Sequence, residues 1–204
     1  MVERQIEARG IRDPHVLKAM RDIPRHHFIP PPYDRSAYDD CPLPIGNGQT
    51  ISQPYIVALM TELLRPTPEN NVLEIGAGSG YQAAILGTIV KHVTTIERIP
   101  AVADLARRNL AALNIQNVEV VVGDGTCGYP ENAPFDGIII TAATPKVPSP
   151  LIEQQAEGGR LVAPVGGREI QELIVLEKHH GRVTESFHGG VRFVPLIGEH
   201  GWEN

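Results

Sequence analysis

The segment VLEIGAGSGY, residues 72–81, predicts the fold of the chain. Its first residues form a short, mostly apolar run that is typical of a buried strand, and Gly76, Gly78 and Gly80 follow before a helical pattern. In an open α/β sheet such a turn lies at the carboxyl end of the first strand, where ligands bind. Glycines let the backbone approach a ligand closely and adopt positive φ angles. We therefore expect a ligand site at this turn.

Strands and helices alternate on either side of this segment. This pattern predicts a parallel sheet covered by helices on both faces, an α/β, doubly wound fold. An antiparallel hairpin is expected at the C-terminal end, and one or two short helices at residues 2–22, with Asp13 as an N-cap before Pro14. The predicted helices are 54–64, 81–89, 101–113 and 150–156; the predicted strands are 72–75, 93–96, 118–122, 135–141, 159–165, 172–178 and 182–188.

Composition excludes several classes of protein. A length of 204 residues predicts a single domain, and a net charge of −6 argues against nucleic-acid binding through phosphate neutralisation. Two cysteines are too few for a disulfide framework or a zinc site, so we assign no metal. The charged N-terminal segment MVERQIEARG has no apolar signal region, and no apolar run is long enough to span a membrane. We expect a cytoplasmic monomer.

The glycine spacing differs from that of a dinucleotide-binding turn. The dinucleotide fingerprint is G-x-G-x-x-G, whereas Tyr81 stands here at the position of the last glycine. Glu74 lies inside the strand end, where a carboxylate would repel a pyrophosphate and suit a cationic ligand. A nicotinamide-dependent oxidoreductase is therefore disfavoured.

Acidic residues end three consecutive predicted strands. Glu97 stands where an acid binds ribose hydroxyls in such sheets. Asp124, followed by Gly125, can accept a hydrogen bond from an adenine amine. Acids are common at strand ends and helix starts, so chance explains any one of them more easily than all three. S-adenosyl-L-methionine, with an adenine, a ribose diol, an ammonium and a sulfonium but no phosphate, fits this set. The candidate cofactor residues are Glu74, Gly76, Ala77, Gly78, Gly80, Glu97, Arg98, Asp124, Gly125 and Thr141.

Nearly the whole chain resembles the protein-L-isoaspartate O-methyltransferase family. The segments that carry the resemblance are RGIRDPHVLKAMRDIPRHHFIP, IGNGQTISQPYIVALMTELL, VLEIGAGSGYQAA, VTTIER, GDGTCGYPENAPFDGIIITAA, EGGRLVAPVG and VRFVPLIG. The resemblance implies a seven-stranded, mostly parallel Rossmann-like methyltransferase sheet with an antiparallel C-terminal hairpin and N-terminal helices. Within one domain, residues 1–45 would be a helical extension, 46–167 the cofactor-binding core and 168–204 the hairpin and substrate-side tail.

The resemblance also implies the substrate, which is L-isoaspartyl-containing proteins and peptides. The family methylates the free α-carboxylate of an L-isoaspartyl residue, and the ester then closes to a succinimide that can reopen to aspartate. Ser52 matches the serine that the family assigns to the active site, and Thr50 is its neighbour. The residues implied at the substrate side are Gln49, Thr50, Ile51, Ser52, Val194, Pro195 and Leu196.

A carboxylate acceptor explains why Thr50 and Ser52 lie in a segment with no histidine, lysine or carboxylate. A carboxylate has a pKa near ~4 and is already a nucleophile at neutral pH, so it needs positioning rather than a general base. Hydroxyls can position it by charge-assisted hydrogen bonds. Ser52 is also suited to be a helix N-cap before Pro54, a role that is compatible with substrate contact.

Two other functions stay open from the sequence. The chain could be an S-adenosylmethionine-dependent methyltransferase that acts on another acceptor, although an alcohol or a base would want a general base or an aromatic clamp. It could also be a non-catalytic module that binds the cofactor as a sensor. The presence of both Ser52 and Glu97 argues against the second alternative.

Overall fold

The computed structural model describes residues 1–203. Seven strands form one sheet in the order β5-β4-β3-β6-β7-β8-β9, and β1 and β2 form a separate antiparallel pair. The strands are β1 Leu43–Gly46, β2 Gln49–Ile51, β3 Asn71–Ile75, β4 His92–Glu97, β5 Val118–Val122, β6 Phe135–Ile140, β7 Gln155–Gly166, β8 Gln171–His179 and β9 Arg182–Val191. The α-helices are α1 Pro14–Asp22, α2 Pro54–Leu64, α3 Tyr81–Gly87, α4 Pro100–Ala112 and α5 Ser149–Glu153.

The predicted α/β, doubly wound class is confirmed. Strands β3 to β7 pair in parallel, and β8 and β9 are antiparallel. Chain order reverses at β3, because β4 and β5 extend the sheet on one side and β6 on the other. A crevice forms outside the carboxyl ends of the strands at such a reversal.

The N-terminal part contains one predicted helix, α1, together with several short helical turns. Asp13 caps α1 by accepting hydrogen bonds from the backbone N–H groups of His15 and Val16. A π-helical turn at Val2–Ile6 and 3₁₀ turns at Glu7–Arg9, Arg25–Phe28 and Tyr33–Ser36 surround α1. Two further 3₁₀ turns, Gly125–Cys127 and Pro130–Asn132, follow β5.

Apolar side chains form one cluster on each face of the sheet. Val72 and Ile139 belong to the cluster beneath α1, α2 and α3, whereas Leu73 and Ile138 belong to the opposite one. This split follows from the alternation of side chains along a strand. Burial of each such side chain contributes about 1.5–3 kcal/mol to folding. The packing of α1 and α2 in one cluster joins the N-terminal segment to the sheet.

Two local differences separate the structure from the sequence prediction. The helix expected at 150–156 ends earlier, at Glu153, because Gln155 already pairs with Phe135 as the first residue of β7. The turn before α2, which was not assigned to strands, is the β1–β2 hairpin. The predicted C-terminal tail is described as far as residue 203, so Asn204 lies outside the described residues.

Candidate active site

A cavity of about 260 Å³ lies at the carboxyl ends of β3, β4 and β6. The β1–β2 hairpin, the start of α3 and the segment after β9 complete its walls. All the candidate cofactor and substrate residues line it except Gly80 and Asp124. The resemblance and the strand-end argument thus converge on one space, although the role of each residue stays a prediction.

Gly76 is required by the way the glycine turn meets β6. Its φ angle is +98°, and a Cβ atom there would lie 2.5 Å from Oγ1 of Thr141. The Thr141 hydroxyl lies 2.6 Å from the Gly76 carbonyl and 2.9 Å from the Ile75 carbonyl, either of which can accept its proton. Thr141 therefore lines the cavity and also holds the turn in place.

Gly80 does not line the cavity but packs against α4 at the end of the glycine turn. It is the N-cap of α3 with φ +87°, and an added Cβ would lie 3.3 Å from Cα of Ala106 in α4. Glycine thus permits close packing between α3 and α4 at this point. A direct contact of Gly80 with the cofactor stays a prediction.

Glu74 is a buried carboxyl group that borders the cavity. Its relative exposure is 0%, and neither of its oxygens has a hydrogen-bond partner in the described chain. Burial raises the pKa of Glu74 to about 8; the neighbouring Thr95 hydroxyl opposes the rise and the charge of Glu97 adds to it. A buried acid without a partner is costly to ionise, and a cation within the cavity would offset that cost.

Glu97 fixes the backbone around the glycine turn. Its Oε2 atom accepts the Gly78 N–H at 3.1 Å, and its Oε1 atom accepts the Ile99 N–H at 3.0 Å. Each carboxylate oxygen has about two acceptor sites, so both can accept a further bond from a ligand hydroxyl. Arg98, the next residue, is exposed and also lines the cavity.

Asp124 faces the C-terminal segment. Its Oδ1 atom accepts from the Thr126 hydroxyl at 2.7 Å, and its Oδ2 atom accepts from the Glu199 N–H at 2.7 Å. Burial alone would raise the pKa of Asp124, but these hydrogen bonds lower it overall. Asp124 thereby joins the loop after β5 to the C-terminal segment, while Gly125 beside it borders the cavity. Its expected bond to an adenine amine stays a prediction.

The β1–β2 hairpin brings Thr50 and Ser52 to the cavity. The hairpin turns at Asn47 and Gly48, whose φ angles of 53° and 71° suit a tight two-residue turn. Thr50 is exposed and Ser52 is half-buried. Within the described chain, no hydrogen bond involves either hydroxyl. Both are therefore available to a ligand.

Ser52 does not cap α2 in this structure. The N-cap position is occupied by Gln53, whose side chain makes no capping hydrogen bond. The capping role considered from the sequence is thus absent from the contacts of Ser52 among residues 1–203.

The segment after β9 forms another wall of the cavity. The Val194 carbonyl accepts the Ala143 N–H at 2.7 Å, and the Leu196 N–H donates to the Ala143 carbonyl at 2.7 Å. The Val194 N–H and the Pro195 carbonyl make no hydrogen bond within the described residues. Backbone groups of this kind can pair with an extended peptide.

Part of the cavity wall was not predicted from the sequence. Half of these residues come from α2, α3 and the ends of β3 and β4, and the other half from the connecting segments: Gly48, Val57, Met60, Ile75, Ser79, Tyr81, Gln82, Ile96, Ile99, Ala142, Phe193 and Ile197. The Tyr81 ring packs against Phe28, with 5.3 Å between ring centroids. Helical spacing predicts that such residues are buried, but it does not show that a cavity interrupts the core beside them.

The described residues contain no helix that is both long and apolar enough to cross a membrane.

Comparison with known proteins identifies the family. The family model of protein-L-isoaspartate(D-aspartate) O-methyltransferase (PCMT) matches residues 1–201. A protein-L-isoaspartate O-methyltransferase of Methanoregula boonei is 67% identical over 204 residues, which cover 100% of this chain and 94% of the relative. The protein of the same name from Methanospirillum hungatei is 62% identical over 203 residues, with coverage of 100% and 94%.

Solved structures agree with this assignment. A protein-L-isoaspartate O-methyltransferase structure superposes with a TM-score of 0.88 at 31% identity, covering 98% of this chain and 67% of that chain. A structure from Plasmodium falciparum, described as a putative protein-L-isoaspartate O-methyltransferase in complex with S-adenosyl-L-homocysteine, gives a TM-score of 0.83 at 25% identity and covers 96% of both chains. The chain therefore belongs to the protein-L-isoaspartate(D-aspartate) O-methyltransferase family.

Proposed function

We propose that this chain transfers the methyl group of S-adenosyl-L-methionine to the free α-carboxylate of L-isoaspartyl residues in aged proteins and peptides. The methyl ester then closes to a succinimide, which can reopen to aspartate, so the enzyme initiates repair. Within this function, the roles of individual residues are our own assignments.

The observation that carries the acceptor assignment is a cavity with two unengaged hydroxyls and no available general base. Its titratable lining residues are Glu74, Tyr81, Glu97 and Arg98. Burial favours the protonated form of Tyr81 by raising its pKa, Glu74 is the group that we assign to the cofactor cation, and Glu97 is held by two backbone N–H groups. An alcohol or amine acceptor would need a base in this space. A carboxylate acceptor does not, since it is already ionised.

The residues at the strand ends fit the cofactor. When bound, S-adenosyl-L-methionine supplies an electrophilic methyl group on a positively charged sulfur. Glu74 offers a buried carboxyl group to a cation, and Glu97 keeps acceptor capacity for the ribose hydroxyls. Gly76 and Gly78 have positive φ angles of 98° and 54°, and this conformation places the backbone of the turn at the cavity wall.

Thr50 and Ser52 are the residues that we assign to the substrate carboxylate. Their hydroxyls can donate charge-assisted hydrogen bonds and fix the direction of attack. An arginine or lysine would bind the anion more strongly before the reaction than after its charge is lost, and would oppose methyl transfer. The unpaired backbone groups at Val194 and Pro195 would hold the peptide on either side of the isoaspartyl residue.

We also propose that the enzyme acts as a monomer in the cytoplasm, as the sequence predicts. Sedimentation equilibrium at micromolar concentration measures the first of these properties. A mass near that of one chain, 22.2 kDa, is the expected result, and a dimer mass would contradict it.

The test of the function is a methyl-transfer assay with radiolabelled S-adenosyl-L-methionine. Two short peptides are compared that differ only in L-isoaspartyl versus L-aspartyl at one position. Base-labile label on the isoaspartyl peptide alone is the expected result. Label on neither peptide, with cofactor binding intact, would refute the proposed acceptor and direct the search to other methyl acceptors.

A further inference from the structure

Helix α2 begins two residues after Ser52, one of the two residues that we assign to the substrate carboxylate. The first N–H groups of a helix have no partner within the helix. A serine such as Ser52, placed three residues before Tyr55, is well suited to accept one of them. Ser52 makes no such bond in the described chain and the Gln53 side chain does not cap, so neither residue satisfies the first N–H groups of this helix.

Asp40 provides that cap from outside the helix. Its Oδ1 atom accepts the Tyr55 N–H at 3.1 Å, and its Oδ2 atom accepts the Gln53 side-chain amide at 2.6 Å. One carboxylate thus fixes a backbone amide in the first turn and the residue next to Ser52. A negative charge at the N-terminus of a helix is also favoured by the helix dipole.

Arg9 holds Asp40 from the opposite side. Its Nη1 atom lies 2.7 Å from Oδ2 of Asp40, and its guanidinium lies over the Tyr55 ring, 3.4 Å from the centroid. The Asp40 side chain is only 21% exposed, so this pair is partly shielded from water. The N-terminal segment is therefore tied directly to the first turn of α2.

We propose that Asp40, supported by Arg9, is a positioning residue for methyl transfer, an inference that rests on the proposed function. Asp40 occupies the capping role at α2 and so keeps the Ser52 hydroxyl free for the substrate carboxylate. Its bond to Gln53 also fixes the chain direction at Ser52. Without Asp40, the N–H groups at the start of α2 would draw the Ser52 oxygen toward themselves as an acceptor and turn the side chain away from the orientation in which it donates to the substrate carboxylate.

The experiment compares Asp40→Ala with Asp13→Ala. Asp13 caps α1 through two backbone N–H groups, at 2.8 and 3.1 Å, and does not line the cavity. Both changes remove a helix cap, so both should lower the melting temperature. Only Asp40→Ala is expected to reduce kcat/KM for the isoaspartyl peptide, by about tenfold or more, which is the effect of losing one well-placed hydrogen bond. Affinity for S-adenosyl-L-homocysteine should stay within about twofold of wild type in both variants.

A double-mutant cycle shows whether Asp40→Ala lowers kcat/KM through Ser52 or through a general loss of stability. If Asp40 acts through Ser52, Asp40→Ala in the Ser52→Ala background should cause little further loss of kcat/KM. A full additional loss, or an equal loss of kcat/KM in Asp13→Ala, would overturn the proposal. Asp40→Asn keeps one acceptor for the Tyr55 N–H and should show a smaller loss of kcat/KM than Asp40→Ala. If Asp40→Ala does not fold, Asp40→Asn is used in its place.

Amide hydrogen exchange gives a readout that does not need the reaction. Peptides covering residues 49–57 should exchange faster in Asp40→Ala than in wild type, but not in Asp13→Ala. Unchanged exchange at 49–57 in Asp40→Ala would contradict the capping role. If wild type shows no methyl transfer while this exchange pattern holds, the proposed function fails and the inference about positioning fails with it, although the cap is established.

Discussion

Replacing Glu74 by glutamine should change how the stability of the cofactor-free protein depends on pH. In the folded protein burial raises the pKa of this carboxyl to about 8, against a usual value of 4.5. The folded state therefore keeps a proton that the unfolded state loses above pH 4.5. Because the folded state binds more protons in this window, wild-type stability falls as the pH rises from about 4.5 to about 8.

The size of the effect follows from the two pKa values. Each pH unit between them lowers the free energy of unfolding by about 1.4 kcal/mol. By pH 9 the accumulated loss is roughly 5 kcal/mol, a large share of the typical stability of a protein domain. Glutamine has a similar shape and no charge, so Glu74→Gln should lack this contribution.

The assay is urea unfolding of wild type and Glu74→Gln at pH 5, 7 and 9, without cofactor. The difference between the two proteins isolates Glu74, since all other titrating groups are shared. We expect the variant to be close to wild type at pH 5 and more stable by several kcal/mol at pH 9. A free-energy difference that stays constant from pH 5 to pH 9 would refute the buried, unpartnered state of Glu74.

Cofactor binding should make Glu74 of the wild-type protein release its proton. A cation in the cavity favours the ionised carboxyl, so binding to wild type should release a proton near pH 7, and binding to Glu74→Gln should release fewer. Calorimetry in buffers of different ionisation enthalpy measures this release. Equal proton release by both proteins would remove Glu74 from the cofactor site.

Three further substitutions test the rest of the site. Ser52→Ala should lower kcat/KM for the isoaspartyl peptide by about 10- to 100-fold, with S-adenosyl-L-homocysteine affinity nearly unchanged, as kinetics and calorimetry will show; equal losses of both would contradict a substrate role. Glu97→Gln should mainly weaken cofactor binding, by about tenfold in Kd, and an unchanged Kd would exclude its role. Gly76→Ala should abolish cofactor binding because its Cβ would collide with Thr141, whereas full binding by a folded variant would show that the turn can rearrange.

The order of the elements was readable from sequence because it depends on local patterns. Apolar runs that end in glycine and runs with helical spacing each occupy a few residues, so strand and helix positions agree with the structure to within a few residues. The β1–β2 hairpin carries the Asn47-Gly48 signal, yet Pro44 in its first strand obscured the pattern, since proline is rare in central strands.

The contacts within the site were less predictable because they join distant parts of the chain. An acid at a strand end has the same local sequence context whether it borders the cavity, as Glu74 does, or bonds to the C-terminal segment, as Asp124 does. Similarly, local rules for capping point to Ser52 and cannot show that Asp40 takes the role. Which partner each of these groups contacts is determined by the tertiary structure.

The turn between β1 and β2 has a sequence, Asn47-Gly48, that is chemically prone to ageing. In an asparagine followed by glycine, the glycine nitrogen attacks the side-chain amide with little steric hindrance, ammonia leaves and a succinimide forms. Asn47 and Gly48 are exposed, and Gly48 borders the cavity. Hydrolysis of that succinimide gives aspartate or an isoaspartyl bond, and the latter would place an extra backbone methylene and a negative charge close to Thr50 and Ser52. A stored preparation would thus slowly turn part of its molecules into substrates for the rest.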